Sequence, residues 1–151
     1  MAMGLGSAAH SLDFSAYARQ KTPKDHSYEQ AQTCAVTELY GAYLVSKHPN
    51  MPDHEAIAAQ YDQISKLWLS AAYALYKPPH KSRHHPKPIS LDDYGHQIAF
   101  ADLQNLENHI VSAQDIKPEA VGFFDTYCKQ KSEHINDSAP TLTPRRRHHR
   151  R

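Results

Sequence analysis

Hydrophobic positions in this chain recur at intervals of three and four residues, which is the spacing of one face of an α-helix. The clearest run lies between Asp53 and Lys77, where six such positions follow a four, three, four, three, four spacing. A seam of this kind is buried by packing against another helix. We therefore predict a long helix over this segment with a neighbouring helix beside it. The six positions are Ile57, Tyr61, Ile64, Trp68, Ala71 and Leu75.

Three further segments carry helical patterns. The first runs from about Asp25 or Ser27 to Lys47 and is stopped by Pro49. Because the turn that follows is short, we expect the next helix to return antiparallel. Another begins after Ser90, a good capping residue, and the last runs from near Pro118 to about residue 135.

Glycine and proline positions complete the predicted layout. Gly95 lies inside the third long helix, where glycine costs roughly 1 kcal/mol relative to alanine, and we interpret it as the mark of a close helix crossing. The connection 78–88 contains four prolines and three histidines and is predicted to be extended.

These patterns predict an all-α fold, an antiparallel bundle of about four main helices. Residues 1–24 are expected to form a leader with a short helix capped by Ser11. The bundle itself is assigned to residues 25–135, and residues 136–151 are predicted to be a disordered basic tail. No alternation of period two is long enough to predict a strand.

Charge divides the chain into two parts. Residues 1–144 hold 12 Lys+Arg against 16 Asp+Glu, whereas five of the seven arginines lie in the last seven residues. Such a tail can contact the phosphates of a nucleic acid or an acidic protein surface, and the alternative is a solvated end without a role. The candidate polyanion-binding residues are Arg145, Arg146, Arg147, Arg150 and Arg151.

The first two long helices carry more tyrosines than a two-helix core requires. Tyrosine is enriched at protein interfaces because its body is apolar and its tip is polar. We expect a tyrosine-rich face that binds a protein partner or a second copy of the chain, with core packing as the alternative. The candidate partner-binding residues are Tyr28, Tyr40, Tyr43, Tyr73 and Tyr76.

Two cysteines, Cys34 and Cys128, lie far apart in predicted helices. We interpret them as buried small side chains in a reducing compartment and do not expect a disulfide framework. No apolar stretch is long enough to cross a bilayer, and no secretory signal peptide is apparent. The cytoplasm is therefore the expected location, with nuclear or organellar targeting as weaker alternatives.

Familiar catalytic and metal-binding motifs are absent from the sequence. His80, His84 and His85 cluster in the proline-rich connection, but a loop of this kind has no obvious fourth ligand, so we expect no metal and no other cofactor. Asp92 and His96 stand four residues apart on one predicted helix, which is more typical of a surface pair than of a catalytic one.

The leading functional hypothesis is a non-enzymatic helical interaction protein: an adaptor, a chaperone-like protein or a small subunit of a larger assembly. The second is a nucleic-acid-associated protein that uses its arginine tail. The third is a small enzyme or effector with an unrecognised site around Asp92, His96 and His109.

Overall fold

A computed structural model describes residues 12–78 and 88–135, and within these two ranges the chain is helical with no strand. The prediction of an all-α bundle is confirmed. A short α1 precedes three long helices and a fourth of medium length. The bounds are Phe14–Arg19 for α1, Tyr28–Ser46 for α2, His54–Leu75 for α3, 91–113 for α4 and Pro118–Ser132 for α5.

Three of the five described helices, α1, α2 and α4, begin where a polar side chain accepts a hydrogen bond from one of the first free N–H groups. Ser27 Oγ accepts from the N–H of Gln30 at 3.0 Å at the start of α2, and Ser90 Oγ accepts from the N–H of Asp93 at 3.1 Å at the start of α4. Pro118 is the first residue of α5, as expected. At α1 the cap is Asp13, and the predicted cap, Ser11, lies outside the described residues.

Helix α2 is the central element of the bundle and packs against α3, α4 and α5. Every residue from 30 to 38 is buried, so this segment has no solvent-facing side. Several of its residues are polar, and they must find partners inside the protein. These buried polar residues are Gln30, Gln32, Thr33, Thr37 and Glu38.

Two clusters of apolar side chains form the core, and α2 contributes to both. One contains Val36 and Tyr40 of α2 and joins them to α1, α4 and α5. The other contains Ala31, Cys34 and Ala35 and joins them to α3, the start of α4 and the end of α5. The largest members from the other helices are Tyr17, Leu106 and Phe124 in the first cluster, and Trp68 and Tyr94 in the second.

Cys34 and Cys128 form a disulfide that joins α2 to α5, with their Cα atoms 5.4 Å apart. The expectation of two separate buried thiols is therefore wrong. Their burial was anticipated correctly, because neither side chain is exposed. The pairing was missed because 94 positions separate the two residues, and only the packing of α5 on α2 brings them together.

Helix α4 is not a uniform α-helix. Its segments Gly95–Ala99 and His109–Ala113 are π-helical, and each shifts the register of the side chains that follow it. The predicted close crossing at Gly95 is wrong, since an added Cβ would lie 3.6 Å from Leu69 Cδ2, an ordinary van der Waals distance.

The tight crossing occurs instead at Gly41 of α2. There an added Cβ would overlap the ring of Tyr61 on α3. Two side chains show what the predicted α3 seam packs against. The ring of Tyr61 packs against α2 at Gly41, and Trp68 donates to the carbonyl oxygen of Cys128 in α5 at 3.2 Å. Leu75, the last seam position, remains 44% exposed.

Candidate functional site

A groove of about 330 Å³ lies where α2, α3, α4 and α5 meet. Its walls are mainly apolar, with one carboxyl side chain, Asp125, among them. The volume is within the range of pockets that hold small ligands or single side chains of a partner. The lining residues are Thr37, Tyr40, Gly41 and Leu44 of α2, Tyr61 of α3, Ile110 of α4, and Pro118, Val121, Gly122 and Asp125 of α5.

Asp125, one of the lining residues, belongs to a pair of carboxyl groups whose other member does not line the groove. Glu38 is fully buried in α2, and Asp125 of α5 interacts with it. No donor from the described residues reaches Glu38 Oε1, Glu38 Oε2 or Asp125 Oδ1. Since ionised carboxylates only accept hydrogen bonds, two charged groups here would repel each other and leave three buried acceptors unsatisfied.

Protonation of Glu38 resolves this conflict. Burial, together with the hydrogen bond and negative charge of Asp125, raises the pKa of Glu38 to about 9 against the opposing charge of Lys129. Glu38 therefore carries a proton at neutral pH and shares it with Asp125. The pair holds one proton and one negative charge, with Glu38 fully buried and the Asp125 side chain 27% exposed.

The second oxygen of Asp125 is well satisfied. Asp125 Oδ2 accepts from the hydroxyl of Tyr61 at 3.0 Å and from the ammonium of Lys129 at 3.1 Å. The Lys129 ammonium also lies 4.2 Å from the centroid of the Tyr61 ring. Asp125 is thus fixed on one side by a cation and a hydroxyl, while its other oxygen faces Glu38.

Gly122 leaves one wall of the groove open. An added Cβ at this position would meet nothing within 4 Å, in contrast to the overlap at Gly41. The two glycines therefore have opposite roles: Gly41 allows α3 to approach α2, and Gly122 leaves space beside Asp125. The arrangement is suited to binding an elongated apolar group with a polar or charged end.

A second polar network crosses the core away from the groove. The hydroxyls of Tyr28 and Tyr94 are 2.7 Å apart, and Tyr94 donates to Gln32 Oε1 at 2.6 Å. Gln32 Nε2 in turn donates to Asp102 Oδ2 at 3.0 Å. Burial raises the pKa of Asp102 to about 6, although Gln32 and the backbone N–H of Leu12 favour its charged form.

The tyrosines proposed as a partner-binding face are engaged within the molecule. Tyr40 is buried, and the rings of Tyr28 and Tyr76 are 6.1 Å apart. The ring of Tyr76 is also 5.0 Å from that of Tyr94, and Tyr73 donates to the carbonyl oxygen of Ile89. Packing inside the bundle accounts for much of the tyrosine surplus. Partner binding by Tyr28, Tyr40, Tyr43, Tyr73 and Tyr76 stays a prediction.

Other candidates lie outside the described residues. They include the arginines of the tail, Arg145, Arg146, Arg147, Arg150 and Arg151. The same is true of the histidine cluster in the proline-rich connection, His80, His84 and His85.

The three residues of the enzymatic hypothesis are not brought together. Asp92 and His96 are both exposed, and the structure records no hydrogen bond between them. His109 is 13 positions further along α4, which corresponds to about 20 Å. Its ring stacks on Phe14 of α1, and its Nδ1 lies 2.9 Å from Asp115 Oδ1. His109 therefore joins the end of α4 to α1 and to the segment that follows α4.

Glu38 and Asp125 were not singled out by sequence reasoning, nor were Gln32 and Asp102. Each is one polar residue among several in its helix, and the local sequence does not set it apart. A usable signal did exist in α2, where Gln30, Gln32, Thr33, Thr37 and Glu38 leave no consistently apolar face. A helix without an apolar face that is flanked by amphipathic helices is a candidate for burial with internal polar partners.

Within residues 12–78 and 88–135, no group of three or more His, Cys, Asp or Glu side chains is arranged to hold a metal ion. The same two ranges contain no helix with the length and apolar character that a bilayer crossing requires.

Comparison with known proteins gives no relative. No protein family, no curated protein and no solved structure matches this chain. The groove and its carboxyl pair are therefore interpreted from their own geometry.

Proposed function

We propose that this chain is a non-enzymatic helical interaction protein and that the groove holds side chains of a partner protein. The observation that supports this proposal best is the combination of apolar walls with one carboxyl side chain, Asp125, in the lining of the groove. A partner segment that presents apolar groups beside a hydrogen-bond donor would complement both features.

Charge favours a basic partner segment. The described residues contain 9 Lys+Arg and 15 Asp+Glu, a net charge of −6. A field of this sign attracts cationic segments and increases their rate of association. We therefore propose that the partner segment carries positive charge near the apolar residues that enter the groove.

The disulfide changes the proposed location. Stable disulfides between buried cysteines are typical of oxidising compartments and rare in the cytosol. The cytoplasmic expectation was based partly on two unpaired cysteines, and Cys34 and Cys128 are paired. We propose that the protein works in an oxidising compartment or outside the cell.

A blocked groove tests the proposed function. Gly122→Leu would place a side chain in open space, and a helical glycine replaced by leucine is expected to stabilise α5. The matched control is Thr126→Leu, an exposed position on the same helix outside the groove lining. Peptides would be selected from a random display library on the immobilised full chain. Their binding to the two variants would then be measured by fluorescence anisotropy.

We expect the selected peptides to be basic, to contain apolar residues, and to lose at least tenfold in affinity for Gly122→Leu with little change for Thr126→Leu. Peptides that bind both variants equally well would show that the groove is not the contact surface. Failure to select any peptide would also count against the proposal.

Nucleic-acid binding through the tail remains the second candidate, and the observation that favours it is the concentration of five arginines in the last seven residues. Its test compares the full chain with a chain ending at Pro144 in anisotropy titrations with duplex DNA and single-stranded RNA. Affinity that depends on the tail and survives near-physiological salt would support it. Binding that disappears with modest salt would exclude a specific role.

A further inference from the structure

We infer that residues 12–19, here called the arm, are exchanged between two copies of this chain, so that Tyr17 of one copy fills the pocket between α2 and α5 of the other. The arm contains α1. Its contact surface is separate from the groove of the proposed function, because none of the described residues that line the groove belongs to the arm.

The pocket recognises a tyrosine side chain through both its ring and its hydroxyl. Tyr17 is buried, and its hydroxyl lies at hydrogen-bonding distance from two atoms of α2, 2.7 Å from Thr37 Oγ1 and 3.1 Å from the carbonyl oxygen of Thr33. The centroid of its ring is 4.8 Å from that of Phe124 on α5. A second copy of the chain presents the same side chain to the same groups.

The rest of the arm contacts α4. Leu12 is buried, and its backbone N–H is hydrogen-bonded to Asp102. Phe14 stacks on the ring of His109, with the ring centroids 5.0 Å apart. These contacts join the arm to helices that follow it in the chain, so a second copy can make each of them unchanged.

A fixed point follows the arm at Asp25. Its Oδ1 accepts from Gln30 Nε2 at 3.0 Å, and its Oδ2 accepts from the ammonium of Lys131 at 3.0 Å. Asp25 is therefore tied to the start of α2 and to the end of α5. The exchange leaves this point in place, and it leaves the disulfide within each copy because the arm precedes Cys34.

Residues 20–24 connect the arm to this fixed point and form the hinge. The hinge contains no helix. Three of its side chains are exposed and make no hydrogen bond or ion pair with any of the described residues, namely Lys21, Thr22 and Lys24. The hinge can therefore straighten without loss of a contact from these side chains.

The hinge begins with a strained residue. Gln20 has φ 53° and ψ 44°, a left-handed conformation that costs free energy for any residue with a side chain. A straight hinge relieves this strain. Because the arm makes the same contacts in either arrangement, the equilibrium between monomer and exchanged dimer depends on the hinge and on the protein concentration.

The test uses the full chain with its disulfide intact. Each protein would be unfolded in urea and refolded at concentrations from about 10 µM to about 1 mM, the range in which a tethered arm and a free copy compete. Sedimentation equilibrium then gives the dissociation constant of the dimer. Gln20→Val increases the strain in the hinge and Gln20→Gly removes it.

His26→Gly is the matched control. His26 is exposed and also left-handed, with φ 66°, but it follows Asp25 and lies outside the hinge. Its substitution should change the stability of monomer and dimer equally.

We expect a dimer of the wild type that forms on refolding at high concentration. Gln20→Gly should weaken this dimer at least about 25-fold, since relief of one left-handed residue is worth about fivefold to thirtyfold and a dimer contains two hinges. Gln20→Val should strengthen it, and His26→Gly should leave its dissociation constant unchanged. If Gln20→Val does not fold, the comparison of the wild type with Gln20→Gly still decides.

Nuclear magnetic resonance identifies the contact in the dimer. Isotope-labelled and unlabelled wild-type chains would be unfolded together and refolded at high concentration. We expect a filtered nuclear Overhauser effect between the Tyr17 ring of one copy and the Phe124 ring of the other.

Three results would overturn the exchange. The first is a chain that stays monomeric at every concentration, both as wild type and as folded Gln20→Val. The second is a dimer without the contact between Tyr17 and Phe124 of different copies, which would have formed through another surface. The third is an equal effect of Gln20→Gly and His26→Gly, because the hinge would then not control the equilibrium.

Discussion

The ring of Tyr61 lies against the α-carbon of Gly41, so close that a methyl group at position 41 would overlap it. The hydroxyl of the same ring donates to Asp125 Oδ2 at 3.0 Å. One side chain of α3 therefore sets the approach of α3 to α2 and also fixes a carboxyl group of α5. The absence of a side chain at Gly41 is what allows both contacts.

Gly41→Ala should destabilise the protein by about 1–2 kcal/mol, because overpacking costs about 1–3 kcal/mol and the better helix propensity of alanine recovers only part of it. Gly122→Ala is the matched control, since its Cβ meets nothing within 4 Å and should stabilise the protein by up to roughly 1 kcal/mol. Urea denaturation measures both changes. Equal effects of the two substitutions would contradict the tight contact at Gly41.

Stability should fall as pH rises. The pKa of Glu38 is raised from 4.5 to about 9, so between these values the folded chain binds a proton that the unfolded chain does not. The free energy of unfolding then decreases with pH, at a limiting slope of about 1.4 kcal/mol per pH unit. Asp102, whose pKa is raised from 3.8 to about 6, contributes in the same direction at lower pH.

Glu38→Gln isolates this effect. Above about pH 7.5 the contribution of Asp102 is nearly complete, so the remaining slope up to pH 9 should come from Glu38 and should largely disappear in the variant. Chemical denaturation at a series of pH values gives both curves. If the wild type and Glu38→Gln lose stability in parallel over this range, Glu38 is not the group that holds the proton.

Tyr94→Phe tests the polar network in the core. Tyr94 is fully buried and bonds to both Tyr28 and Gln32, so loss of its hydroxyl leaves Gln32 Oε1 without this donor. We expect a loss of about 1–3 kcal/mol in the free energy of unfolding. Tyr43→Phe is the control because Tyr43 is only partly buried and its ring, which contacts the exposed Lys47 ammonium at 4.9 Å, is kept; it should cost less than about 0.5 kcal/mol.

Removal of the disulfide by the double substitution Cys34→Ala and Cys128→Ala should cost about 2–5 kcal/mol, because the bond closes a long loop of the unfolded chain. Reduction of the wild type by dithiothreitol should lower stability by a similar amount. A thiol assay on the denatured, unreduced chain should find no free thiol. Detection of two thiols per chain in that assay would contradict the pairing.

Sequence patterns predicted the helices because each pattern is local. Ser27, Ser90 and Pro118 mark helix starts through contacts that involve only the next few residues. The same reasoning wrongly placed a close helix crossing at Gly95 and missed the one at Gly41. The spacing between two helices depends on which of their faces meet, and a local pattern does not give this. Nothing near either glycine in the sequence records the position of Tyr61 or Leu69.

The candidate site was beyond sequence reasoning for the same physical reason. Glu38 and Asp125 are 87 positions apart in the numbering, and each is ordinary in its own helix. The raised pKa of Glu38 is caused by its burial and by the nearby Asp125. Both causes exist only after α5 has packed on α2, so the sequence does not show them. Asp102 and Gln32 repeat this pattern across α4 and α2.

The position of the disulfide has a consequence for the chain after proteolysis. Residues 79–87 lie between Cys34 and Cys128, so a cut anywhere among them yields two fragments that still share a covalent bond. The first fragment would keep α1, α2 and α3, and the second would keep α4 and α5. A nicked molecule would therefore migrate as one species without reductant and as two with it, and Glu38 and Asp125 would stay on fragments that cannot diffuse apart.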